Sequence, residues 1–108
     1  MTPLEILKAA RALITDPQRW TRDAYARDAL GNRVESRSPH AVAWCASGAI
    51  CAAAQGVSNN IQDRANEALA EQVGVAGVSI SAVNDSCGHA YILAAYDRAI
   101  AKLEGRTQ

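Results

Sequence analysis

Cysteine, histidine and a carboxylate or amide are the ingredients of a thiol nucleophile, and this chain holds one set: Cys45, His89 and the Asn84-Asp85 pair. In such a site the imidazole takes the thiol proton and the third group orients the ring. The expected position of Cys45 weighs against it. The surrounding run reads as an apolar helix from Ser38-Pro39 to Gly56, which places Cys45 about two turns inside, away from the positive helix end that favours thiolate.

Metal binding is the second chemistry these residues suggest. Cys87-Gly88-His89 offers two ligands, with Cys45, Cys51 or His40 as candidates for the rest. Zinc sites usually show paired short spacings, and Cys45 and Cys51 on one helix would face different ways. The expectation is therefore no metal and no cofactor, with ordinary thiols and a loop histidine instead.

A third arrangement brings Arg27-Asp28 near a hairpin turn together with Asn84-Asp85 near the last helix. The ligand-binding candidates are then Arg27, Asp28, Cys45, Asn84, Asp85 and His89. The structural alternative is favoured. In it Asp28 and Asn84 bond to turn backbones, Asp85 caps the last helix, and Arg27 pairs with a carboxylate. Arg19, Arg22, Arg27, Arg33 and Arg37 also cluster here, but they alternate with Asp23, Asp28 and Glu35, the mark of a solvated mixed-charge face rather than a phosphate-binding one.

The elements that must hold these residues follow from capping and periodicity. Thr2, Pro3 and Glu5 form a capping box, and Leu4, Ile6, Leu7, Ala10 and Ile14 continue a helix over roughly the first fifteen residues, until Asp16-Pro17 stops it. Ala24 to Asp28 and Arg33 to Glu35 read as two short strands around Gly31-Asn32, with Trp20 and Tyr25 laid against the helices. The helix opened by Ser38-Pro39 is apolar nearly all round and belongs mid-bundle. Gly48 inside it costs about 1 kcal/mol of helix propensity, so a packing reason is expected.

Ser58 opens a third helix with Ile61, Ala65, Ala68, Leu69 and Val73 on one stripe, ended by Gly74. The stretch Val75 to Val83 alternates apolar and small polar residues from Val78 to Ala82, which fits a short strand, although a helical turn fits it equally. Asn84 to Gly88 reads as a polar loop. A last helix carries Ile92, Tyr96, Ala99, Ile100 and Leu103 inward and closes at Gly105. The fold class is thus α+β, predominantly helical, with about four helices packed on a small β-hairpin.

All of this fits one domain spanning residues 1–108, since 108 residues suffice for a single core and not for two. Hydrophobic residues make up 49% of the chain with no Phe, so the core is built from small side chains and closely packed helices without large cavities. Eleven basic residues balance eleven acidic ones, which disfavours nucleic acid as a partner. No apolar run is long enough to span a membrane, and the N-terminus lacks the basic start and cleavage site of a secretory signal. Three cysteines in sparse spacing point to reduced thiols in a cytoplasm.

Taken in order, Trp20, then Ala26-Arg27-Asp28 with Gly31, then Trp44-Cys45-Ala46 with Gly48-Ala49, then Asn84-Asp85 with Gly88 make a pattern that resembles a bacterial and phage family, the domain-of-unknown-function family 6197. The resemblance covers almost the whole chain, with departures at Val83 and Cys87. It implies no activity. The function expected is a small cytoplasmic accessory or binding protein without catalysis, acting as a homodimer or on a protein partner. The alternative is a small-molecule-binding protein or cysteine-dependent hydrolase with a polar site near Cys45, Asn84 and His89.

Overall fold

The computed structural model describes residues 1–74 and 77–106. Helix α1 (Pro3–Leu13) starts as the capping box requires: the Thr2 hydroxyl accepts from Glu5 N at 3.1 Å while the Glu5 carboxylate accepts from Thr2 N at 2.9 Å. It buries Ile6, Leu7 and Ala10. A short 3-10 turn (Pro17–Arg19), capped by the Asp16 carboxylate, then turns the chain toward the sheet.

Three two-residue strands follow, β1 (Ala26–Arg27), β2 (Arg33–Val34) and β3 (Ala43–Trp44), in the order β2-β1-β3 with antiparallel pairing throughout. Ala26 lies opposite both Val34 and Trp44. The hairpin expected between β1 and β2 is present, and β3 is an addition. Trp20 packs half-buried on the core, but Tyr25 does not: it is 61% exposed. The pleat explains this, because the buried Ala26 next to it points inward and forces Tyr25 to the other side.

Helix α2 (Ala46–Ala53) is shorter than the capping signal at Ser38-Pro39 suggested. Ser38 caps a single turn instead, its hydroxyl accepting from His40 N and its carbonyl from Ala41 N. Ala43-Trp44 is then drawn into the sheet, anchored by the Trp44 indole donating to Ser36 O at 2.9 Å. Pairing and burial of Trp44 outweigh a local cap worth about 1 kcal/mol.

Helix α3 (Asn59–Val73) buries Ala65, Leu69 and Val73 and ends at Gly74 in the left-handed region. Val78-Ala82 is not a strand. The Ser79 hydroxyl accepts from Ala82 N and starts α4 (Ile80–Cys87), so Asn84 to Cys87 are helical rather than a loop. Gly88, at φ +89, separates α4 from α5 (His89–Arg106), a backbone conformation natural to glycine alone. Helix α5 passes through Gly105 rather than stopping there. The described residues thus form five helices and a three-stranded sheet, an α+β fold.

The core lies where α1, α2, α3 and α5 meet, filled by Ile6, Leu7, Ile50, Leu69, Ile92 and Tyr96 with alanines between them. Among the described residues, no helix is long and apolar enough to cross a membrane.

Candidate functional site

The site is best built from Asn84, which α4 carries into the interior with its side chain fully buried. Its carbonyl oxygen accepts from the Trp20 indole at 2.8 Å and from Ala46 N, the first helical N–H of α2, at 2.9 Å. Its amide donates to Thr21 O and to Asp85 Oδ1, both at 3.1 Å. All four hydrogen-bonding positions of the amide are filled. One residue therefore ties together the segment before the sheet, the start of α2 and its own helix.

Asp85 extends this network by accepting from Asp23 N at 2.9 Å. Asp23 sits at φ +62, uncommon for a non-glycine residue, and that bond helps hold it there. Asp85 does not cap the last helix. On the opposite flank, Tyr96 donates its hydroxyl to Ala46 O at 2.6 Å from a fully buried position.

Cys45 is the N-cap of α2, not a residue two turns inside it. Because β3 ends at Trp44, Cys45 alone separates it from the helix, and Cys45 Sγ accepts from Gly48 N at 3.3 Å. The positive helix end is thus within reach. Burial nevertheless wins: at 2% exposed, the thiol is pushed up, and the charge of Asp85 adds to the rise, against the downward pull of the Gly48 and Ser47 N–H groups. A thiol held this way is a poor nucleophile near neutral pH.

His89 lies elsewhere. Its Nε2 is 2.6 Å from Ile14 O, so this nitrogen carries the proton and donates, and the ring stacks at a tilt on Trp20 with 5.4 Å between centroids. It joins the end of α1 to the start of α5. The Arg22 guanidinium also rests on Trp20, 5.0 Å from the ring centroid.

Arg27 and Asp28 belong to the hairpin. The Arg27 guanidinium donates to the Thr21 hydroxyl, Gly31 O and Arg22 O, so its partners are oxygens of the hairpin turn and of the segment before β1 rather than the carboxylate expected. The Asp28 carboxylate accepts from Leu30 N, Asn32 N and the Asn32 amide, as an aspartate closing a turn does. Of the six candidates, then, Cys45, Asn84 and Asp85 come together, while Arg27, Asp28 and His89 stand apart from them.

Cys45 and Asp85 line an open groove of ≈ 940 Å³ between the segments 23–25 and 33–37 on one side and Ser81 of α4 on the other. A second groove of ≈ 650 Å³ continues it toward α3, and the two share Tyr25, Ser36, Cys51 and Ser81. His89 lines neither groove. Among the described residues, no group of three or more His, Cys, Asp or Glu side chains is placed to hold a metal.

Ser36 and Ser81 give no signal in the sequence, and Tyr96, expected on the buried stripe of the last helix, gives none of its hydrogen bond to Ala46 O. Single hydroxyls carry no spacing signal, and only the packing of 33–37 over Gly48 shows where Ser36 points. The packing reason expected for Gly48 is present: a Cβ there would lie 2.0 Å from Tyr25 O.

With this geometry in place, the chain belongs to a family of unknown function, DUF6197, matched over residues 1–102. No curated protein and no solved structure matches it.

Proposed function

We propose that this protein acts by binding and not by catalysis, as a small accessory module that presents the open groove beside α2 and α4 to a ligand or partner. One observation carries this: the polar residues that could have formed catalytic machinery are consumed by the fold. Asn84 has all four hydrogen bonds inside the protein, and Cys45 takes its hydrogen bond from Gly48 N with its proton retained. The groove, by contrast, is accessible and large enough for a small ligand. A reducing cytoplasm suits the three unpaired thiols.

Native mass spectrometry of the purified chain, compared with the denatured sample, tests binding directly. Retained mass released on denaturation, or an integral dimer, is the expected outcome. Iodoacetamide tests the absence of catalysis: exposed Cys87 should react at neutral pH while Cys45 stays protected until unfolding. Alkylation of Cys45 faster than that of free cysteine would overturn the binding role in favour of a cysteine-dependent hydrolase.

A further inference from the structure

We propose that the groove receives a nitrogen cation, an ammonium or guanidinium group, with Ser36, Glu35 and Asp85 as its acceptors. This deepens the binding role proposed above and depends on it.

Ser36 offers an open hydroxyl to the groove. It is only 9% exposed and lines both grooves, yet its hydroxyl takes part in no hydrogen bond among the described residues; the Trp44 indole uses its backbone carbonyl. No fully buried side-chain nitrogen or oxygen among the described residues lacks a partner, so the Ser36 hydroxyl opens into the groove, where a ligand's donor can take the place of water. The other buried polar side chain, Asn84, shows what satisfaction looks like in this protein.

The charge around that hydroxyl favours a cation. Asp23, Glu35 and Asp85 line the first groove with Arg33 and Arg37, which leaves one negative charge in excess, and the Arg37 guanidinium is turned to Cys51 O and Gln62 Oε1. The Asp23 and Glu35 carboxylates accept no hydrogen bond among the described residues, and Asp85 uses only Oδ1. Asp85's field reaches the floor, where it raises the Cys45 thiol. The exposed ring of Tyr25 borders both grooves and supplies an aromatic face for the same charge.

An amide-resolved NMR titration of the whole chain decides the matter, using 1,4-diaminobutane as the free cation and acetyl-Gly-Lys-Gly-amide as a side-chain cation, with sodium acetate as the anion. Saturable shifts at Ser36, Ser81 and Asp85 with either amine, weakened by about 0.5 M salt, are expected. Tighter binding of the peptide would assign the cation to a protein partner, and tighter binding of the diamine to a small molecule. Ser36→Ala and Glu35→Gln should each weaken binding by about three- to tenfold, with the melting temperature of Glu35→Gln unchanged because that carboxylate holds nothing in the fold. Shifts with acetate alone would overturn the cation while leaving the binding role standing. No shift with any probe up to about 50 mM would overturn the cation too, and a bare monomer mass in native spectra would then remove the binding role as well.

Discussion

Replacing Asn84 by alanine removes four hydrogen bonds from a fully buried position. The Ala46 N–H is then left buried without an acceptor, at about 1–3 kcal/mol. The Trp20 indole is half-buried and regains part of its loss from water, and the truncated side chain leaves a gap beside it. The sum is about 3–5 kcal/mol, against the roughly 5–15 kcal/mol that holds a domain of this size together. Thermal and urea unfolding followed by circular dichroism should show a melting temperature lower by roughly 15–30 °C. Asn84→Asp sharpens the test. Its carboxyl keeps the acceptor for Trp20 and Ala46 but sets a second oxygen against Thr21 O and Asp85 Oδ1. Burial and the Asp85 charge raise the folded pKa of the introduced carboxyl above the unfolded value of about 3.9. A group raised in this way contributes its stability below the unfolded pKa and loses it as pH rises through the folded one. The deficit relative to the native chain should therefore grow with pH above about 4. A loss under about 1 kcal/mol for Asn84→Ala, or a pH-independent deficit for Asn84→Asp, would refute the structural role assigned to this residue.

Gly48→Ala sets a helix-propensity gain of about 1 kcal/mol against a Cβ placed 2.0 Å from Tyr25 O. That carbonyl accepts from Cys45 N at 3.1 Å, so moving it unpairs a buried N–H; a net loss of about 1–4 kcal/mol is expected in urea, and a stabilised variant would contradict the close packing. Tyr96→Phe leaves Ala46 O without its donor at nearly unchanged volume and should cost about 1–2 kcal/mol by the same measurement, with no cost meaning that the 2.6 Å bond is inconsequential. The Asp28 carboxyl is held below its ordinary 3.8 by the N–H of Asn32 first and of Leu30 second. Its contribution to the turn is present above the unfolded pKa and is lost as pH falls through the lowered folded one. The Leu30 and Asn32 amide resonances should follow a single titration below 3.8, and a midpoint at or above that value would show that the turn bonds do not persist in solution.

What could be read from the residues in advance was what neighbours in sequence decide. The Thr2 capping box, the hairpin around Gly31, the α3 stripe through Leu69 and the buried face of α5 all depend on contacts a few residues apart. Errors arose where a local signal met a distant competitor. Ser38-Pro39 carries a helix start, but Trp44 gains more from the sheet and from Ser36 O, so α2 starts late and Cys45 changes from interior residue to cap. Val78 to Ala82 alternates like a strand, yet Ser79 caps a helix that buries Val83 and Asn84.

The candidate site divides in the same way. Asp28 was recognisable because an aspartate before a turn closes it from within a few residues, whereas Arg27 pairs with Thr21 and backbone oxygens instead of the carboxylate expected. Asn84 and His89 find partners 38 to 75 residues away, at Ala46, Thr21, Trp20 and Ile14, whereas Cys45 bonds to Gly48 N three residues on, which became visible only once the helix start was placed. Sequence alone determined the fold class, the family and most helix boundaries, because capping and hydrophobic periodicity are short-range forces written residue by residue. Only the tertiary structure decided that His89 braces α1, that Asn84 is a saturated hub, and that the Ser36 hydroxyl opens into the groove. Those outcomes depend on which polar groups are buried against which, and no spacing along the chain encodes that.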